Sequence, residues 1–368
     1  MKNLGTAGYK LLTPGPLTTT GTVKQVMLFD HCTWDDDYKE ITQKIRRDLL
    51  KLAQVEETEY TTVLMQGSGS FGVESVLGSV VPKDGCVLLL SNGAYGERAA
   101  KMCSYYEIPC IHVKQDYNKT PDANEAEELL KTHPEITHIM MIHSETTSGI
   151  LNDIESIGKL AEAYGKVFIV DAMSSFAGVE IPVKDWYIDF LISSANKCIQ
   201  GVPGFSFIIA NRVLLMESKG RARSLCLDLY DQWAGMEKDG KWRYTSPTHV
   251  VLAFEQAMKE LEQEGGIKAR HARYQKNMDT LVENFENLGF RLYVDKAWQG
   301  PIIATFLYPE GKHFDFQEMY AYIKERGYAT YPGKLTDADT LPRREIGEIY
   351  EEDVLRLTEI MKSYMEQA

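Results

Sequence analysis

A loop rich in glycine and serine is the first part of the sequence that could bind a ligand. It reads QGSGSFG at residues 66–72 and connects an apolar run to a helical pattern. Small residues such as Ser68 and Gly69 let backbone N–H groups approach an anion, and a helix N-terminus adds partial positive charge. The loop also matches the glycine spacing of a dinucleotide site, but the next apolar run ends in Ser91 and Asn92, where that site needs an acidic residue. A phosphate-binding loop is favoured, with a dinucleotide loop and a plain tight turn as alternatives.

A carboxylate and a lysine follow two later apolar runs. Asp171 ends the run VFIVD, and Lys197 lies shortly beyond the run LISS. Open α/β sheets bind ligands at the carboxyl ends of their strands, where a buried carboxylate needs a cationic partner. A lysine in a partly desolvated site loses proton affinity and becomes a nucleophile for a carbonyl group. Taken singly, Asp171 could instead cap a turn, and Lys197 could be an ordinary surface lysine.

These three features together match what pyridoxal 5′-phosphate requires of a protein. The loop would hold its phosphate, and Asp171 would keep its pyridine nitrogen protonated. Lys197 would bond to its carbonyl carbon and later move a proton. The sequence therefore predicts an enzyme that uses this cofactor.

Seven short apolar runs supply the strands that would position these residues. Each run is nearly continuous in Val, Ile, Leu, Met and Phe, which is typical of strands buried on both faces. Amphipathic stretches between the earlier runs predict helices over residues 72–80, 96–106, 124–132 and 154–164. This alternation predicts an α/β fold with a mostly parallel, doubly wound sheet. The runs are TTVLMQ, CVLLLS, IPCIHV, THIMMIH, KVFIVD, DFLISS and FSFIIA.

The pattern changes beyond residue 247. Long helical patterns at 249–266 and 267–288 precede the strand-like FRLYV and PIIATFLY, a helix at 314–326, an extended YATYP and a final helix from Glu351. Strands mixed with helices after a long connecting helix predict a smaller α+β domain. We expect a large cofactor-binding domain over residues 1–260, with residues 1–20 contributing to the active site, and a small domain over residues 261–368.

The composition argues against several functional classes. The 368 residues are 44% hydrophobic and 25% charged, which fits a globular protein with a full core. The formal net charge of −13 disfavours a nucleic-acid surface. No apolar run reaches the roughly 18–20 residues of a membrane span, and no histidine or cysteine spacing suggests a metal site. The 6 cysteines form no CxxC pair and residues 1–17 lack an apolar signal region, so a cytoplasmic protein is expected.

Long contiguous stretches of the chain resemble the class-V group of fold-type-I aminotransferases. Within this group the sequence is most similar to the enzymes that act on 2-aminoethylphosphonate and pyruvate. The resemblance implies pyridoxal phosphate-dependent transamination that yields phosphonoacetaldehyde and L-alanine. An alanine–glyoxylate or serine–pyruvate aminotransferase is the alternative within the group. Two further alternatives, a nicotinamide-dependent oxidoreductase and a non-catalytic anion-binding protein, are supported by the glycine loop alone. The stretches include LLTPGPLTTT (11–20), LMQGSGSFGVESVLGS (64–79), SNGAYGER (91–98), HSETTSG (143–149), VDAMSSFAG (170–178), ISSANKCIQGVPGF (192–205) and KWRYTSPTH (241–249).

The resemblance also implies roles for single residues and a homodimer. Lys197 would bond to the cofactor, and Asp171 would pair with its pyridinium nitrogen. Thr245 would reach the cofactor phosphate from the neighbouring subunit, so that both active sites lie at the dimer interface. The other implied cofactor contacts are those of Ser68 and Gly69 with the phosphate, Tyr95 stacked on the ring and Thr146 at the ring hydroxyl.

One segment near the C-terminus departs from the family. The family has a segment whose arginine binds the anionic end of the substrate, but this sequence reads TLPRREIG at residues 340–347, with Pro342 in that place. Proline removes a backbone donor and fixes φ. Because side chains alternate between the faces of a strand, Arg344 shares the face of position 342, whereas Arg343 would need a bulge. Arg344, and after it Arg343, are the predicted substrate-binding residues.

Overall fold

The computed structural model describes residues 8–310, 314–331, 340–344 and 346–367. The strands are β1 (Lys10–Leu12), β2 (Tyr60–Gln66), β3 (Cys86–Ser91), β4 (Cys110–Lys114), β5 (Ile136–Ile142), β6 (Val167–Asp171), β7 (Phe190–Ser194), β8 (Phe205–Asn211), β9 (Arg291–Leu292), β10 (Ile303–Leu307), β11 (Tyr328–Thr330) and β12 (Thr340–Arg344). The helices are α1 (Gly21–Gln25), α2 (Asp36–Leu52), α3 (Gly69–Val80), α4 (Ala94–Tyr105), α5 (Ala123–Thr132), α6 (Ile154–Ala163), α7 (Arg212–Glu217), α8 (Leu229–Asp239), α9 (Thr248–Glu264), α10 (Gly266–Asn287), α11 (Phe316–Glu325) and α12 (Glu351–Gln367). None of the helices in these ranges has the length and apolar character needed to cross a membrane.

The central sheet has seven strands in the order β2-β8-β7-β6-β5-β3-β4. Strands β3 to β7 run parallel to one another, and β8 runs antiparallel to both of its neighbours. All seven strands predicted from apolar runs are confirmed, as is the mostly parallel α/β fold. The antiparallel β8 makes the sheet mixed.

Alternate residues of the central strands pack against opposite layers of helices. In β3, Leu88 and Leu90 belong to the core shared with α2, α5, α6 and α9. Val87 and Leu89 belong to the core shared with α3 and α4 on the other face. Successive side chains of a strand point to opposite faces, so both faces of the sheet are covered and most strand positions are apolar. The helices predicted between the strands are confirmed as α3 to α6.

A smaller antiparallel sheet of order β12-β10-β9 lies in the C-terminal part of the chain. Helices α10, α11 and α12 pack with it around a separate core that includes Phe285, Phe306, Met319 and Leu357. Strand β1 pairs in parallel with β11, and Leu12 belongs to the same core, so the N-terminal segment is attached to this part. The helices and strands predicted beyond residue 247 are confirmed. The domain boundary at residue 260 stays a prediction.

Candidate active site

A cavity of about 200 Å³ lies at the carboxyl ends of the parallel strands. The loops that enter α3 and α4, the end of β6 and the segment after β7 all contribute to its walls. Strand ends that are neighbours in a sheet bring together residues far apart in sequence. The described residues that line the cavity are Gly15, Ser68, Gly69, Ser70, Val73, Tyr95, Arg98, Ala99, Met102, Asp171, Met173, Ser194, Asn196 and Lys197.

The glycine and serine loop forms the N-terminal end of α3 at one wall of the cavity. Ser68 is the N-cap residue, and its side chain makes no capping hydrogen bond to the described backbone of that helix. A Cβ atom at Gly69 would lie 2.4 Å from the sulfur of Met173, so any larger residue here would require this methionine side chain to shift. The first N–H groups of a helix have no partner within it, and they favour an anion. This geometry suits a phosphate group.

Asp171 places a buried carboxylate in the cavity, because it ends a strand at the centre of the sheet. Its side chain is 4% exposed, and its Oδ1 accepts a hydrogen bond of 2.9 Å from the N–H of Met173. Burial raises the pKa of Asp171 to about 6, although the positive charges of Lys197 and Arg98 act to lower it. A cation beside this carboxylate would therefore be strongly stabilised.

Lys197 lies three residues beyond β7, in a tight turn at the neighbouring strand end. The turn is closed by a hydrogen bond of 2.7 Å from the N–H of Gln200 to the carbonyl of Lys197. Gly15, with a φ of +128°, approaches from the N-terminal segment, and a Cβ there would lie 2.6 Å from the carbonyl oxygen of Asn196. The side chain of Lys197 is 8% exposed, so it is largely screened from solvent.

Tyr95 and Arg98 come from the first turn of α4. The Arg98 guanidinium lies 4.9 Å from the centre of the Tyr95 ring, and Arg98 donates a hydrogen bond of 3.0 Å to the Ser70 hydroxyl. A cation over an aromatic face is favourable. These two residues therefore connect α4, which carries the aromatic ring, to the loop at the start of α3.

Thr146 and Glu145 lie in the buried loop after β5. The Thr146 hydroxyl is 2.7 Å from that of Ser174, which follows Asp171 by three positions. Glu145 Oε1 accepts hydrogen bonds from the N–H and the hydroxyl of Thr147, at 2.9 and 2.6 Å. Burial raises the pKa of Glu145 to about 7. A Cβ at Gly93 would lie 2.3 Å from the Glu145 carboxyl carbon, so this acid packs directly beneath the start of α4.

The predicted site residues divide into three groups. Ser68, Gly69, Tyr95, Asp171 and Lys197 line one cavity. Thr146 is buried behind that lining, and Thr245 is exposed and lies outside it. Arg343 and Arg344 lie in β12, whose pairing with β10 is continuous, but their side chains are outside the described residues.

Several residues of the site were missed in the sequence. Gly15, Met173 and Asn196 line the cavity inside stretches that carry the family resemblance, yet their residue types gave no chemical signal. Arg98 and Glu145 had such a signal, since charged residues occur there in the motifs SNGAYGER and HSETTSG. The burial of Glu145 depends on the packing of α4 against the loop after β5, and Arg98, which is exposed, is placed by its contacts with Tyr95 and Ser70.

Residues 31–337 match the family model described as aminotransferase class-V. The chain belongs to the class-V aminotransferase family. It is 54% identical over 359 residues to a 2-aminoethylphosphonate–pyruvate transaminase of Lysinibacillus sphaericus, with 98% of each chain covered. A transaminase of the same name from Bacillus cytotoxicus is 54% identical over 352 residues, which are 95% of this chain and 96% of that one.

The fold is also shared with solved structures of aminotransferases. The alanine–glyoxylate aminotransferase of a Nostoc species has a TM-score of 0.90 at 23% identity, covering 99% of this chain and 97% of that one. Pyridoxamine–pyruvate aminotransferase of Mesorhizobium loti has a TM-score of 0.87 at 21% identity, covering 96% of this chain and 92% of that one. These likenesses confirm the fold-type-I architecture.

Pyridoxal 5′-phosphate is the cofactor of this family, and the cavity fits it. The start of α3 offers donors to a phosphate, and Gly69 brings its backbone close to Met173 at the cavity wall. The buried carboxylate of Asp171, whose pKa is raised to about 6, is suited to hold a protonated ring nitrogen. Lys197 lies on the strand end next to it, where an amine can reach the carbonyl carbon of the cofactor.

Proposed function

We propose that this enzyme transfers the amino group of 2-aminoethylphosphonate to pyruvate, releasing phosphonoacetaldehyde and L-alanine. The observation that carries the proposal is the 54% identity, over 98% of the chain, to a relative named for this reaction. The cavity adds a lysine, a buried carboxylate and an anion-binding loop, which are the groups that transamination with this cofactor needs.

The predicted site residues would hold the cofactor at four points. Ser68 and Gly69 would donate hydrogen bonds to its phosphate. Asp171 would pair with its ring nitrogen, while Tyr95 would cover the ring and Thr146 would bond its hydroxyl. When bound, the cofactor supplies an electron sink that stabilises negative charge on the amino-bearing carbon of the substrate.

Lys197 would carry the proton transfers. With the substrate amine held in the cavity, the free Lys197 Nζ would accept a proton from the amino-bearing carbon and would return a proton to the carbon of the cofactor that takes up the amino group. Proton transfer by a positioned group contributes typically about 10²–10⁴-fold to rate. Hydrolysis by water would release phosphonoacetaldehyde before pyruvate enters the same cavity, and pyruvate would reverse the sequence to give L-alanine. The enzyme should therefore follow ping-pong kinetics.

The register of β12 supports Arg344 over Arg343 as the residue that binds the substrate anion. Arg344 pairs with Ile303, and Arg343 pairs with Ala304. Ile303 belongs to a cluster with Cys198, the neighbour of Lys197, and so does Ile302, whereas Ala304 belongs to the core of the C-terminal part. Residues paired across an antiparallel ladder share a face, so we infer that position 344, opposite Ile303, is the one on the side of the lysine turn. One guanidinium there would serve the phosphonate and the pyruvate carboxylate in turn.

We also propose that the enzyme is a cytoplasmic homodimer in which Thr245 reaches the partner's cofactor phosphate. Thr245 is exposed and outside the cavity of its own chain, next to an exposed Tyr244. Leu28, Phe29 and Trp34 are also exposed, at 77, 63 and 69%, which is typical of a surface that a partner covers. The six cysteines are free thiols, which supports a reducing compartment.

The deciding experiment is an assay of the purified enzyme with 2-aminoethylphosphonate and pyruvate. We expect equal amounts of phosphonoacetaldehyde and alanine, and Lys197→Ala serves as the inactive control. Serine with glyoxylate is assayed beside it. Turnover of serine and glyoxylate without turnover of 2-aminoethylphosphonate would replace the proposal with the serine–pyruvate or alanine–glyoxylate alternative.

A further inference from the structure

Gln200 has an unusual backbone conformation three residues after Lys197. Its φ is +70°, in the left-handed region that favours glycine, and its side chain is 5% exposed. A non-glycine residue in this region costs free energy unless its surroundings hold it there. Glycine would satisfy the backbone at this turn, so the presence of glutamine points to a role for its side chain.

The Gln200 side chain uses both hydrogens of its amide group. Nε2 donates a hydrogen bond of 2.7 Å to the hydroxyl of Tyr274 in α10 and one of 3.1 Å to the carbonyl of Gly347. Through its own N–H, the same residue closes the turn on the carbonyl of Lys197. Gln200 therefore connects the lysine turn directly to a segment of the C-terminal part of the chain.

Gly347 lies three residues beyond Arg344, the last residue of β12. Its φ is +95°, and a Cβ there would lie 2.7 Å from the carbonyl of Thr18. The next residue, Glu348, donates its N–H to that carbonyl at 2.8 Å. The backbone at Gly347 and Glu348 is thus held closely against Thr18, and Gly347 is only three residues from the end of the strand that carries the candidate arginine.

Arg273 holds the same backbone from α10. It donates hydrogen bonds of 2.9 Å to the carbonyls of Gly347 and Ile349. These bonds connect the segment to the helix, whereas the bond from Gln200 connects it to the lysine turn. The described hydrogen bond from Gln200 ties the segment to the turn that carries the reacting amine, beside the packing of Ile346 in one cluster with Cys198.

We propose that Gln200 is a positioning residue that sets the distance between Lys197 and the anion-binding strand β12. This inference deepens the proposed function and rests on it, because it assumes that β12 presents the arginine for the substrate anion. Gln200 acts through Gly347 and touches neither substrate nor cofactor. It keeps β12 within reach of a substrate in the cavity, so its loss weakens binding of the substrate anion in the ground state and the transition state alike.

Three variants separate this role from a merely structural one. Gln200→Glu keeps the length of the side chain and can still accept from the Tyr274 hydroxyl, but its carboxylate repels the Gly347 carbonyl. Gln200→Gly fits the φ of +70° and removes the side chain, so it replaces Gln200→Glu if that variant fails to fold. Tyr274→Phe is the matched control, because it leaves the contact with Gly347 in place.

Steady-state kinetics give the first measurement. In both Gln200 variants we expect KM for 2-aminoethylphosphonate and for pyruvate to rise by about tenfold, with kcat changed by less than about threefold. The visible absorbance of the cofactor-loaded enzyme should not change, since the cofactor contacts are intact. Tyr274→Phe should keep KM near the wild-type value. Unchanged KM values in both Gln200 variants, or an equal rise in Tyr274→Phe, would overturn the proposal.

Hydrogen exchange in the cofactor-free protein gives the second measurement. The amide of Glu348 should exchange faster by about tenfold in both Gln200 variants, but not in Tyr274→Phe, because the segment loses its tie to the lysine turn. Unchanged exchange in the Gln200 variants would refute the connection. If wild-type enzyme fails to use 2-aminoethylphosphonate, the proposed function falls, and the exchange result still decides whether Gln200 holds the segment.

Discussion

Replacing Asp171 with asparagine should stabilise the cofactor-free protein while disabling the enzyme. Burial raises the pKa of this carboxyl from 3.8 to about 6. One pKa unit corresponds to about 1.36 kcal/mol, so keeping the carboxylate ionised in the empty cavity costs about 3 kcal/mol. Asparagine has no charge to bury, and its oxygen can still accept the hydrogen bond from the N–H of Met173. The free energy of unfolding of the variant should therefore exceed that of the wild type by most of this cost.

The gain should depend on pH in a defined direction. Because the folded-state pKa of Asp171 is above the unfolded value, the folded protein retains a proton between about pH 3.8 and 6 that the unfolded chain has lost. The free energy of unfolding of the wild type then falls as pH rises through this window, and the full cost is present above it. Asp171→Asn should be close to wild type near pH 4 and about 3 kcal/mol more stable at pH 8.

Urea denaturation of both cofactor-free proteins at pH 4.5 and pH 8 measures the difference directly. Other buried acids, such as Glu145, are present in both proteins, so their contributions to the free energy of unfolding largely cancel in the difference. In the loaded enzyme the same change removes one partner of a buried ion pair, at a cost of about 3–5 kcal/mol, so cofactor affinity or kcat should fall by at least about 10²-fold. If the stability difference between the two proteins is the same at both pH values, then ionisation of Asp171 in the folded protein does not carry the expected cost.

Three further predictions concern the remaining site residues. Lys197→Ala should reduce kcat by roughly 10²–10⁴-fold or more while the protein keeps its fold and binds cofactor; near-wild-type turnover, or a borohydride-reduced cofactor attached to another lysine, would remove Lys197 from the mechanism. Mixing Lys197→Ala with Thr245→Ala subunits should give more activity than either parent, because one site of each heterodimer carries neither change; no gain after verified subunit exchange would place Thr245 in its own subunit. Arg344→Ala should lower kcat/KM for both substrates by about 30- to several-thousand-fold, the equivalent of roughly 2–5 kcal/mol, without altering the visible spectrum. If Arg343→Ala has that effect and Arg344→Ala does not, the assignment from strand parity is wrong.

The central sheet could be predicted because its strands are buried on both faces and are therefore largely apolar. Strand direction could not be predicted in the same way, since an apolar run such as FSFIIA in β8 has the same pattern whether it runs parallel or antiparallel. Helix α2 was also missed. Its buried residues, including Tyr38, Ile45 and Leu49, form a narrow stripe among charged residues, and its N-cap Asp35 makes no capping hydrogen bond to the described backbone.

The residues that carry the chemistry of the site could be predicted from the sequence more easily than the contacts that hold them in place. Asp171 and Lys197 follow separate apolar runs, and the pairing of β6 with β7 brings those strand ends together. The packing of Glu145 under α4 depends on contacts between loops far apart in sequence. The left-handed conformation of Gln200 also depends on tertiary contacts, because a glutamine in the sequence does not indicate such a conformation. These features follow from tertiary packing and carry no local pattern.

The parallel pairing of β1 with β11 has a consequence for how the enzyme is made. Leu12 and Thr330 are partners, and 318 residues separate them in the chain. At a synthesis rate of about 5–20 residues per second, the N-terminal segment waits roughly 15–60 s for its strand partner to leave the ribosome. Gly15, which lies against the lysine turn, belongs to the same N-terminal segment. We therefore expect the nascent protein to pair its central sheet first and to complete the cavity wall beside Lys197 only after β11 has been synthesised.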